Sequence, residues 1–389
     1  MPVTFHWFLP TNGDGRRLVE PAVATPGIAG GQRPATFGYL TQIVLAAESF
    51  GFEGALTPTG PWCDDAWLTT AALAQRTERL KFLVAFRPGA MSPTLAAQMA
   101  ATYQFHTGGR LLLNVVTGGD SAEQRAYGDW LDKEGRYERC AEFLQIVRAL
   151  WTGGRTDFDG RHLQVEGGAL GRVPDPLPDI YFGGSSPAAL DVAARHVDAY
   201  LTWGEPPALV AEKVERVRAL AAAHGRTVRF GIRLHVVSRD TSEAAWAAAD
   251  QLLEGISEEE IAKVHARMQT TESEGQRRML ELHGGSRSDL EVSPNLWAGV
   301  GLARGGAGTA LVGSHEEVAD RIEEYAALGL DEFVLSGYPH LEELYWFGEG
   351  VLPVLEKRGV WSRPVGLAEG MRTGSIDAGG VSFGVVPKP

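Results

Sequence analysis

Short runs rich in β-branched and aromatic residues alternate with longer amphipathic patterns along nearly the whole chain of 389 residues. Because a helix between two strands carries the chain back across a sheet, this alternation predicts a parallel sheet. Eight such strand–helix units predict an α/β fold, a closed (β/α)8 TIM barrel. The predicted strands are Val3–Leu9, Gly54–Thr59, Leu80–Phe86, Arg110–Val116, Asp179–Phe182, Ala199–Trp203, Arg229–Val237 and Glu332–Leu335.

The segments between these strands read as helices, because apolar residues recur in them at intervals of three and four. Insertions beyond a minimal barrel are expected after strands one, four and seven. The last of them, residues 257–313, contains a charged helical stretch and is long enough to predict a lid over the barrel. The clearest helical patterns are Asp65–Arg76, Arg136–Trp151, Pro206–His224 and Ser314–Leu328.

Two further segments lie outside the repeating pattern. Val19–Ala35 is rich in Gly, Pro and Ala and reads as a surface loop after strand one. Arg358–Pro389 has no helical period, so it is either an arm over this or a neighbouring subunit or a disordered tail. The prediction is therefore one barrel domain over residues 1–357 and a C-terminal extension over residues 358–389.

Composition limits the functional classes. A net charge of −13 repels nucleic acid and anionic membranes, so neither is an expected partner. The sequence shows neither a membrane-span pattern nor a signal-peptide pattern, which leads us to expect a cytoplasmic protein. The two cysteines, Cys63 and Cys140, are too few for a disulfide framework and lack metal-ligand spacing, so we expect free thiols and no metal.

Cationic and aromatic residues follow or end several predicted strands, where the catalytic groups of such barrels lie. Arg233 and His235 are two apart in strand seven, so both side chains face the barrel interior together. Arg304 lies in a glycine-rich loop, and Tyr338 and His340 follow the last strand. These residues predict a pocket for a small anion. The alternatives are an Arg233 paired with a barrel carboxylate, a hydrogen-bonded core His235, a solvent-facing Arg304 and structural aromatic residues.

A Gly-Gly-Ser-Ser turn after predicted strand five aims backbone N–H groups and hydroxyls at a phosphate, such as that of a flavin mononucleotide. A plain helix N-cap is the alternative, and both can hold together. The glycines near residue 305 do not follow a dinucleotide-binding pattern, so we expect no nicotinamide site. The predicted cofactor-binding residues are Asn114, Thr117, Tyr137, Gly184, Ser185 and Ser186.

Three residues at other strand ends complete the predicted pocket wall. Trp203 ends strand six, and Trp62 and Cys63 follow strand two. Core packing is an equally good interpretation of Trp203. A buried inert thiol is the alternative for Cys63, because no neighbour in the sequence would lower its pKa.

Seven motifs together resemble the alkanesulfonate monooxygenase group of the bacterial luciferase-like flavin monooxygenases, over most of the chain to about Pro353. The resemblance implies an enzyme that receives FMNH2 from a separate NAD(P)H-dependent flavin reductase and uses O2 to cleave a C–S bond, giving an aldehyde and sulfite. It also implies a homo-oligomer, dimer or tetramer. The motifs are Trp7–Thr11 with Gly13–Gly15, Tyr181–Ser186, Leu201–Pro207, Phe230–His235, Pro294–Leu302, Arg304–Gly313 and Leu335–Glu343.

The same resemblance implies which residues act. By position it makes Cys63, Arg233, His235, Arg304 and Tyr338 the active-site set. The sulfonate pocket is then lined by Trp203 and His340.

The chain departs from the typical alkanesulfonate enzyme around the pocket mouth. The loop Val19–Ala35 is longer, which leaves Glu20 as a loose match to an acidic residue of the family. Trp62 stands in a position that is polar or basic in the family, and Ser286 stands where a lysine is common.

These changes favour the related sulfoquinovose monooxygenase branch, whose larger hydroxylated substrate would give 6-oxo-glucose. Linear alkanesulfonates are the alternative substrates. A deazaflavin-dependent oxidoreductase and a silent flavin-binding protein are the alternative functions, and the cationic set argues against both.

Overall fold

A computed structural model describes residues 2–18 and 33–364. Eight parallel strands in this part close into a barrel, which confirms the predicted fold class. The strands are Thr4–Phe8 (β1), Gly54–Thr57 (β2), Lys81–Phe86 (β3), Leu111–Val115 (β4), Thr156–Asp159 (β5), Gln164–Gly168 (β6), Ile180–Gly183 (β7), Ala199–Trp203 (β8), Arg229–Arg239 (β9), Glu291–Ser293 (β10), Leu296–Trp297 (β11), Ala310–Ser314 (β12) and Glu332–Ser336 (β13).

Helices on the outside of the barrel connect these strands. A π-helical turn, Phe347–Val351, joins the last two helices. The helices are Phe37–Phe50 (α1), Ala66–Leu73 (α2), Pro93–Thr107 (α3), Ser121–Ala126 (α4), Lys133–Trp151 (α5), Pro187–His196 (α6), Pro207–Ala223 (α7), Ser242–Leu252 (α8), Glu258–Gln269 (α9), Glu274–His283 (α10), Val300–Ala303 (α11), His315–Ala327 (α12), His340–Trp346 (α13) and Leu352–Lys357 (α14).

The barrel order is β1, β2, β3, β4, β7, β8, β9 and β13, and β13 pairs in parallel with β1 to close it. All eight predicted strands are confirmed, with their ends within two residues of the prediction. Because the first and last strands are neighbours, the loops that follow β1 and β13 meet at the carboxyl end of the barrel, which we call the mouth.

Successive side chains of each strand point to opposite faces of the sheet, so they pack in two separate hydrophobic layers. Side chains that point inward, such as Phe8, Leu201 and Val334, form a small cluster in the barrel interior. Their neighbours in sequence, such as Trp7 and Leu335, belong to the much larger cluster between strands and helices. This two-layer packing fixes which face of each strand can contribute to a site.

The insertions after strands four and seven contain strands of their own. After α5, β5 and β6 form an antiparallel hairpin. After β9, the insertion of residues 257–313 contains α9, α10, β10, β11, α11 and β12. Strand β12 pairs in parallel with the far half of β9, with Ala310 opposite His235, so this end of the insertion is continuous with the barrel sheet.

Most of Val19–Ala35, including Glu20, lies outside the described residues, as does the tail beyond residue 364. The start of the predicted extension packs on the barrel: Val3 N–H donates to the Val360 carbonyl oxygen at 2.9 Å, and Trp361 is buried. Among residues 2–18 and 33–364, no helix is both long and apolar enough to cross a membrane.

Candidate active site

Arg233 and His235 lie on the same face of β9 at the barrel mouth, as their spacing predicts. In register they stand beside Val334 and Ser336 of β13, while the residue between them packs in the outer hydrophobic layer. The Arg233 guanidinium carbon lies 4.8 Å from the centre of the Phe8 ring, and Nη1 donates to the Leu234 carbonyl oxygen at 2.6 Å. Within residues 2–18 and 33–364 it has no carboxylate partner, so the interpretation of Arg233 as half of a barrel ion pair finds no support there.

The insertion and the loop after β13 bring Arg304 and Tyr338 to the same place. Arg304 Nη1 donates to the Tyr338 hydroxyl oxygen at 2.6 Å. The Tyr338 ring stacks on His235 with their centroids 5.5 Å apart and an angle of 21° between the planes. The four residues predicted to be catalytic, Arg233, His235, Arg304 and Tyr338, therefore form one contiguous cluster.

Burial sets the charge state of this cluster. Burial, and then the charge of Arg304, lower the pKa of Arg233 to about 9, against an opposing contribution from Tyr338. Burial, and then Arg233, hold the pKa of His235 well below its usual range. At neutral pH the cluster therefore contains two cations beside a neutral imidazole, which gives a net positive field in a chain of net charge −13.

His340 is held by a carboxylate that sequence reasoning missed. Its Nδ1 lies 2.9 Å from Asp14 Oδ1, and its backbone N–H donates to Asp14 Oδ2 at 2.7 Å. The Tyr39 hydroxyl also donates to Asp14 Oδ2. Burial would raise the pKa of Asp14, but the charge and hydrogen bonds of His340, followed by Tyr39, outweigh it and lower that pKa.

The turn after β7 has the geometry of an anion cradle. The Tyr137 hydroxyl lies 3.6 Å from the position that a Cβ on Gly184 would occupy, so α5 and this turn come together. Ser186 is the N-cap of α6, and its hydroxyl accepts the Ala189 N–H at 3.3 Å. The first turn of α6 carries no acidic residue. The helix N-terminus, the backbone of Ser185 and the Tyr137 hydroxyl are therefore suited to a phosphate, alongside the N-cap role.

Cys63 and Trp62 lie on the β2 side of the mouth. The Cys63 thiol contacts the Gly60 carbonyl oxygen at 3.5 Å, and burial raises its pKa to about 11. It is therefore a neutral thiol at physiological pH. Trp62 packs its indole against Gly60 and keeps 40% of its surface exposed, so it stands at the rim of the mouth.

Arg87, which follows β3, is a second buried guanidinium that the sequence did not single out. Its Nη2 donates to Glu123 Oε1 at 2.7 Å, and its guanidinium carbon lies 5.3 Å from the Tyr127 ring centre. Its Nε and Nη1 are buried and have no hydrogen-bond partner among the described residues. In an eight-stranded barrel β3 stands opposite β9, so Arg87 faces the Arg233 side of the mouth.

Three predicted residues line the mouth between these two sides. Asn114, at the carboxyl end of β4, pairs in register with Tyr181, and Thr117 follows two residues after the strand. Trp203, at the end of β8, lies under the insertion, because a Cβ on Gly275 would come within 3.2 Å of its Cζ3. All three are partly buried.

Two ion-pair clusters fasten the insertion across the mouth. Between α9 and α10, the Glu272 carboxylate accepts hydrogen bonds from Arg136 Nη2 and from the Ser121 hydroxyl, each at 2.8 Å. The Glu272 backbone N–H donates to the Gly119 carbonyl oxygen. On the other side Arg278 of α10 binds Glu205, which is fully buried and also accepts from Lys213 Nζ at 2.8 Å. These partners lie up to 151 residues apart in sequence, so no local signal identifies them.

Residues 3–332 match the luciferase-like monooxygenase family. The chain belongs to this family. Its fold is also similar to several solved structures, each under 25% identical. A riboflavin lyase structure with modified FMN and riboflavin gives a TM-score of 0.77 at 21% identity over 93% of each chain.

Two other solved structures are comparable. DmoA from Hyphomicrobium sulfonivorans gives a TM-score of 0.74 at 19% identity, covering 93% of this chain and 90% of its own. EDTA monooxygenase from Chelativorans sp. BNC1 gives a TM-score of 0.72 at 18% identity, covering 94% of this chain and 96% of its own. At these identities the likeness shows the fold, and family membership supports a monooxygenase.

Proposed function

We propose that this protein is a two-component, FMNH2- and O2-dependent monooxygenase that cleaves the C–S bond of a small organosulfonate. The observation that carries the proposal is the pair Arg233 and Arg304, neither of which has a carboxylate partner among residues 2–18 and 33–364. Guanidinium groups bind several oxygens of one anion at once, which suits a sulfonate. Two unpaired cations at the mouth of an acidic protein are costly to bury unless an anionic ligand joins them.

The residues of the β7 turn fit the phosphate of FMN. Tyr137, Ser185 and the N-terminus of α6 would hold it, with Gly184 allowing the close approach and Ser186 completing the cap. Reduced FMN, delivered by an NAD(P)H-dependent flavin reductase, supplies the electrons that let one atom of O2 enter the substrate. Asn114 and Thr117 lie at the next strand, where they would contact the ring system.

The cluster at β9 then binds and orients the sulfonate. Arg233 and Arg304 neutralise its charge, and Tyr338 positions Arg304 through their 2.6 Å hydrogen bond. His235 is kept neutral and supports the Tyr338 ring. Trp203 covers the pocket from β8, and His340 lies after β13, on the other side of β9.

Exclusion of water is the role proposed for the insertion of residues 257–313. Reduced flavin and O2 react unproductively in open solvent, so a closed mouth protects the reaction. The ion pairs Glu272–Arg136 and Arg278–Glu205 fix the insertion at two sides of that mouth. The insertion is therefore proposed to act as a lid.

Sulfoquinovose is the proposed substrate. The mouth combines the half-exposed Trp62 at its rim with buried polar groups, among them His340, that could meet ring hydroxyls. Linear alkanesulfonates are the second candidate, since the same cationic cluster would hold any sulfonate. A deazaflavin-dependent hydride transfer or a silent flavin-binding role leaves the unpaired cations without a purpose.

A homo-oligomer, dimer or tetramer, is also proposed. Large apolar side chains on the outer helices α2 and α3 remain exposed, and an association surface there would bury them. Leu68 of α2 keeps 76% of its surface, and Phe105 of α3 keeps 56%.

A sulfite-release assay tests the proposal. We expect sulfite only when reduced FMN, O2 and a sulfonate are all present, with sulfoquinovose turned over better than methanesulfonate or octanesulfonate. Sulfite formed without O2, or none formed from any sulfonate, would refute the oxygenase. Preference for octanesulfonate would refute only the substrate.

A further inference from the structure

Two imidazoles lie at the mouth, and their ring nitrogens differ in availability. His235 Nε2 is 3.1 Å from the Ala307 carbonyl oxygen, so Nε2 carries the proton and donates. His235 Nδ1 is 2.7 Å from the Ser336 hydroxyl oxygen, so Nδ1 accepts. Both nitrogens are satisfied in the neutral ring, so His235 is poorly placed to exchange protons with a substrate.

His340 has the opposite arrangement. Asp14 is an acceptor beside Nδ1 at 2.9 Å, which places the ring proton on Nδ1 and leaves the lone pair on Nε2. The Asp14 side chain is fully buried and is fixed by three other donors, namely the N–H groups of Gly15 and His340 and the Tyr39 hydroxyl. A buried carboxylate held in this way orients an imidazole and stabilises its protonated form.

His340 Nε2, the nitrogen without a partner, lies close to the groups that would hold the sulfonate. His340 is 2% exposed, and its Nε2 is buried with no hydrogen-bond partner among the described residues. Its ring centre lies 5.0 Å from that of Tyr338 and 5.8 Å from that of Phe8. The Tyr338 hydroxyl accepts a hydrogen bond from Arg304, and the Arg233 guanidinium lies over the Phe8 ring. The lone pair therefore lies among the groups that would hold the sulfonate.

We propose that His340, positioned by Asp14, is the base that accepts the proton released during C–S cleavage. This inference rests on the proposed function and identifies the residue that handles its proton. An imidazole whose Nδ1 is oriented by Asp14, and whose Nε2 has no partner among the described residues and lies beside the groups that would hold the sulfonate, meets the geometric requirement for a general base.

The reaction releases one proton at the substrate. When R–CH2–SO3⁻ becomes R–CHO, the C–S bond breaks and its electron pair leaves on sulfite. One atom of O2 becomes the carbonyl oxygen, and one of the two hydrogens on carbon leaves as a proton. Reduced FMN supplies two electrons and two protons, which convert the second oxygen atom to water. His340 Nε2 takes the proton from the substrate and passes it to sulfite or solvent as the products leave.

The surrounding charges support this direction of transfer. Protonated His340 would face the Asp14 carboxylate on one side and the anionic products on the other. The titratable and charged groups around the ring are Asp14, Tyr39, Arg233, His235, Arg304 and Tyr338.

The first experiment measures kcat and KM for sulfite release, from acid to neutral pH, for His340→Gln, Asp14→Asn and the control His196→Gln. His196 lies at the end of α6, away from the mouth. For His340→Gln we expect kcat to fall about 10²- to 10⁴-fold, the usual contribution of a general base, with KM changed far less. The decline of wild-type kcat towards acid pH should be absent from this variant, and added imidazole should restore part of the rate.

The second measurement reads the proton position directly by nitrogen NMR of histidine side chains in the full chain without flavin. We expect His340 to carry its proton on Nδ1 in the wild type and to lose that preference in Asp14→Asn. A wild-type proton on Nε2 overturns the proposal, as does a His340→Gln variant that keeps more than half of kcat or its acid decline. If the wild type releases no sulfite at all, the proposed function itself fails. Sulfite release with a normal His340→Gln variant overturns only the role of His340.

Discussion

The Glu205 carboxylate joins the insertion to the barrel through ion pairs with Arg278 and Lys213. Removing it should lower the stability of the whole fold, and a second variant separates the part of that loss that belongs to the insertion. Glu205 is 1% exposed and accepts from Lys213 Nζ, whose side chain is 6% exposed, and from Arg278 of α10. Glu205→Gln leaves the buried Lys213 ammonium without a counter-charge. Breaking a buried pair in this way costs about 3–5 kcal/mol of unfolding free energy.

Arg278→Gln separates the contribution of the insertion from that of the barrel. This variant keeps Glu205 paired with Lys213 and removes only the charge-assisted hydrogen bonds to α10, which are worth about 1.5–3 kcal/mol. That loss should appear as local opening. Backbone amides of α10 should exchange with deuterium about 10- to 100-fold faster, since 1.4 kcal/mol corresponds to tenfold.

Hydrogen exchange by mass spectrometry and urea unfolding measure both effects, with Glu215→Gln as the matched control. Glu215 pairs with Arg218 on the same helix as Lys213, but 69% of its side chain is exposed, so its loss should cost about 0–1 kcal/mol. The reasoning is refuted if Glu205→Gln is as stable as this control, or if α10 exchanges at the wild-type rate in Arg278→Gln.

The stability that the Glu205 ion pairs contribute should depend on pH. Burial would raise the pKa of Glu205, but Arg278 and then Lys213 outweigh it, and the pKa is lowered in the folded protein. A depressed carboxyl pKa contributes stability that is complete above the ordinary Glu value of about 4.3 and is lost as pH falls through the folded value. The stability curves of the wild type and Glu205→Gln should therefore converge at acid pH.

Three further outcomes are expected. Arg233→Lys should lose most sulfite release with an unchanged circular dichroism spectrum, because an ammonium cannot reproduce the guanidinium fork; near-normal turnover would make Arg233 structural. Gly184→Ala places a Cβ 2.7 Å from Ala189 Cβ, so reduced FMN should bind about tenfold more weakly, a loss of about 1.4 kcal/mol. Gly171→Ala, which meets nothing within 4 Å, should bind normally in the same fluorescence titration. Trp62→Ala should narrow the preference in kcat/KM for sulfoquinovose over octanesulfonate, and an unchanged ratio would remove Trp62 from the pocket.

The barrel was predictable because each of its strands carries a local signal. Apolar and β-branched runs mark the strands, and the helices between them carry the helical period, so the eight units can be counted. Two strands of the insertion, β10 and β11, were missed for a physical reason. Strand β11 has two residues and β10 has three, too few to show an alternation, and they exist because β12 extends the sheet beside β9.

The candidate site was predictable where it depends on strand period. Arg233 and His235 share a face because side chains alternate along a strand, and a parallel register then places Ser336 beside His235. The Arg304–Tyr338 hydrogen bond joins two loops, and no period in the sequence fixes how loops approach each other. Arg87 was missed because a single arginine after a strand has no distinguishing pattern.

The difference between the two histidines follows from barrel closure. A closed barrel makes its first and last strands neighbours, so the loop after β1 must meet the loop after β13. Asp14 lies on the first of these loops and His340 on the second, 326 residues away, and closure is what brings them within 2.9 Å. His235 lies inside a strand, where the neighbouring Ser336 and Ala307 satisfy both nitrogens. An imidazole on a closing loop can keep one nitrogen for a ligand, and this is the physical basis for assigning the proton to His340.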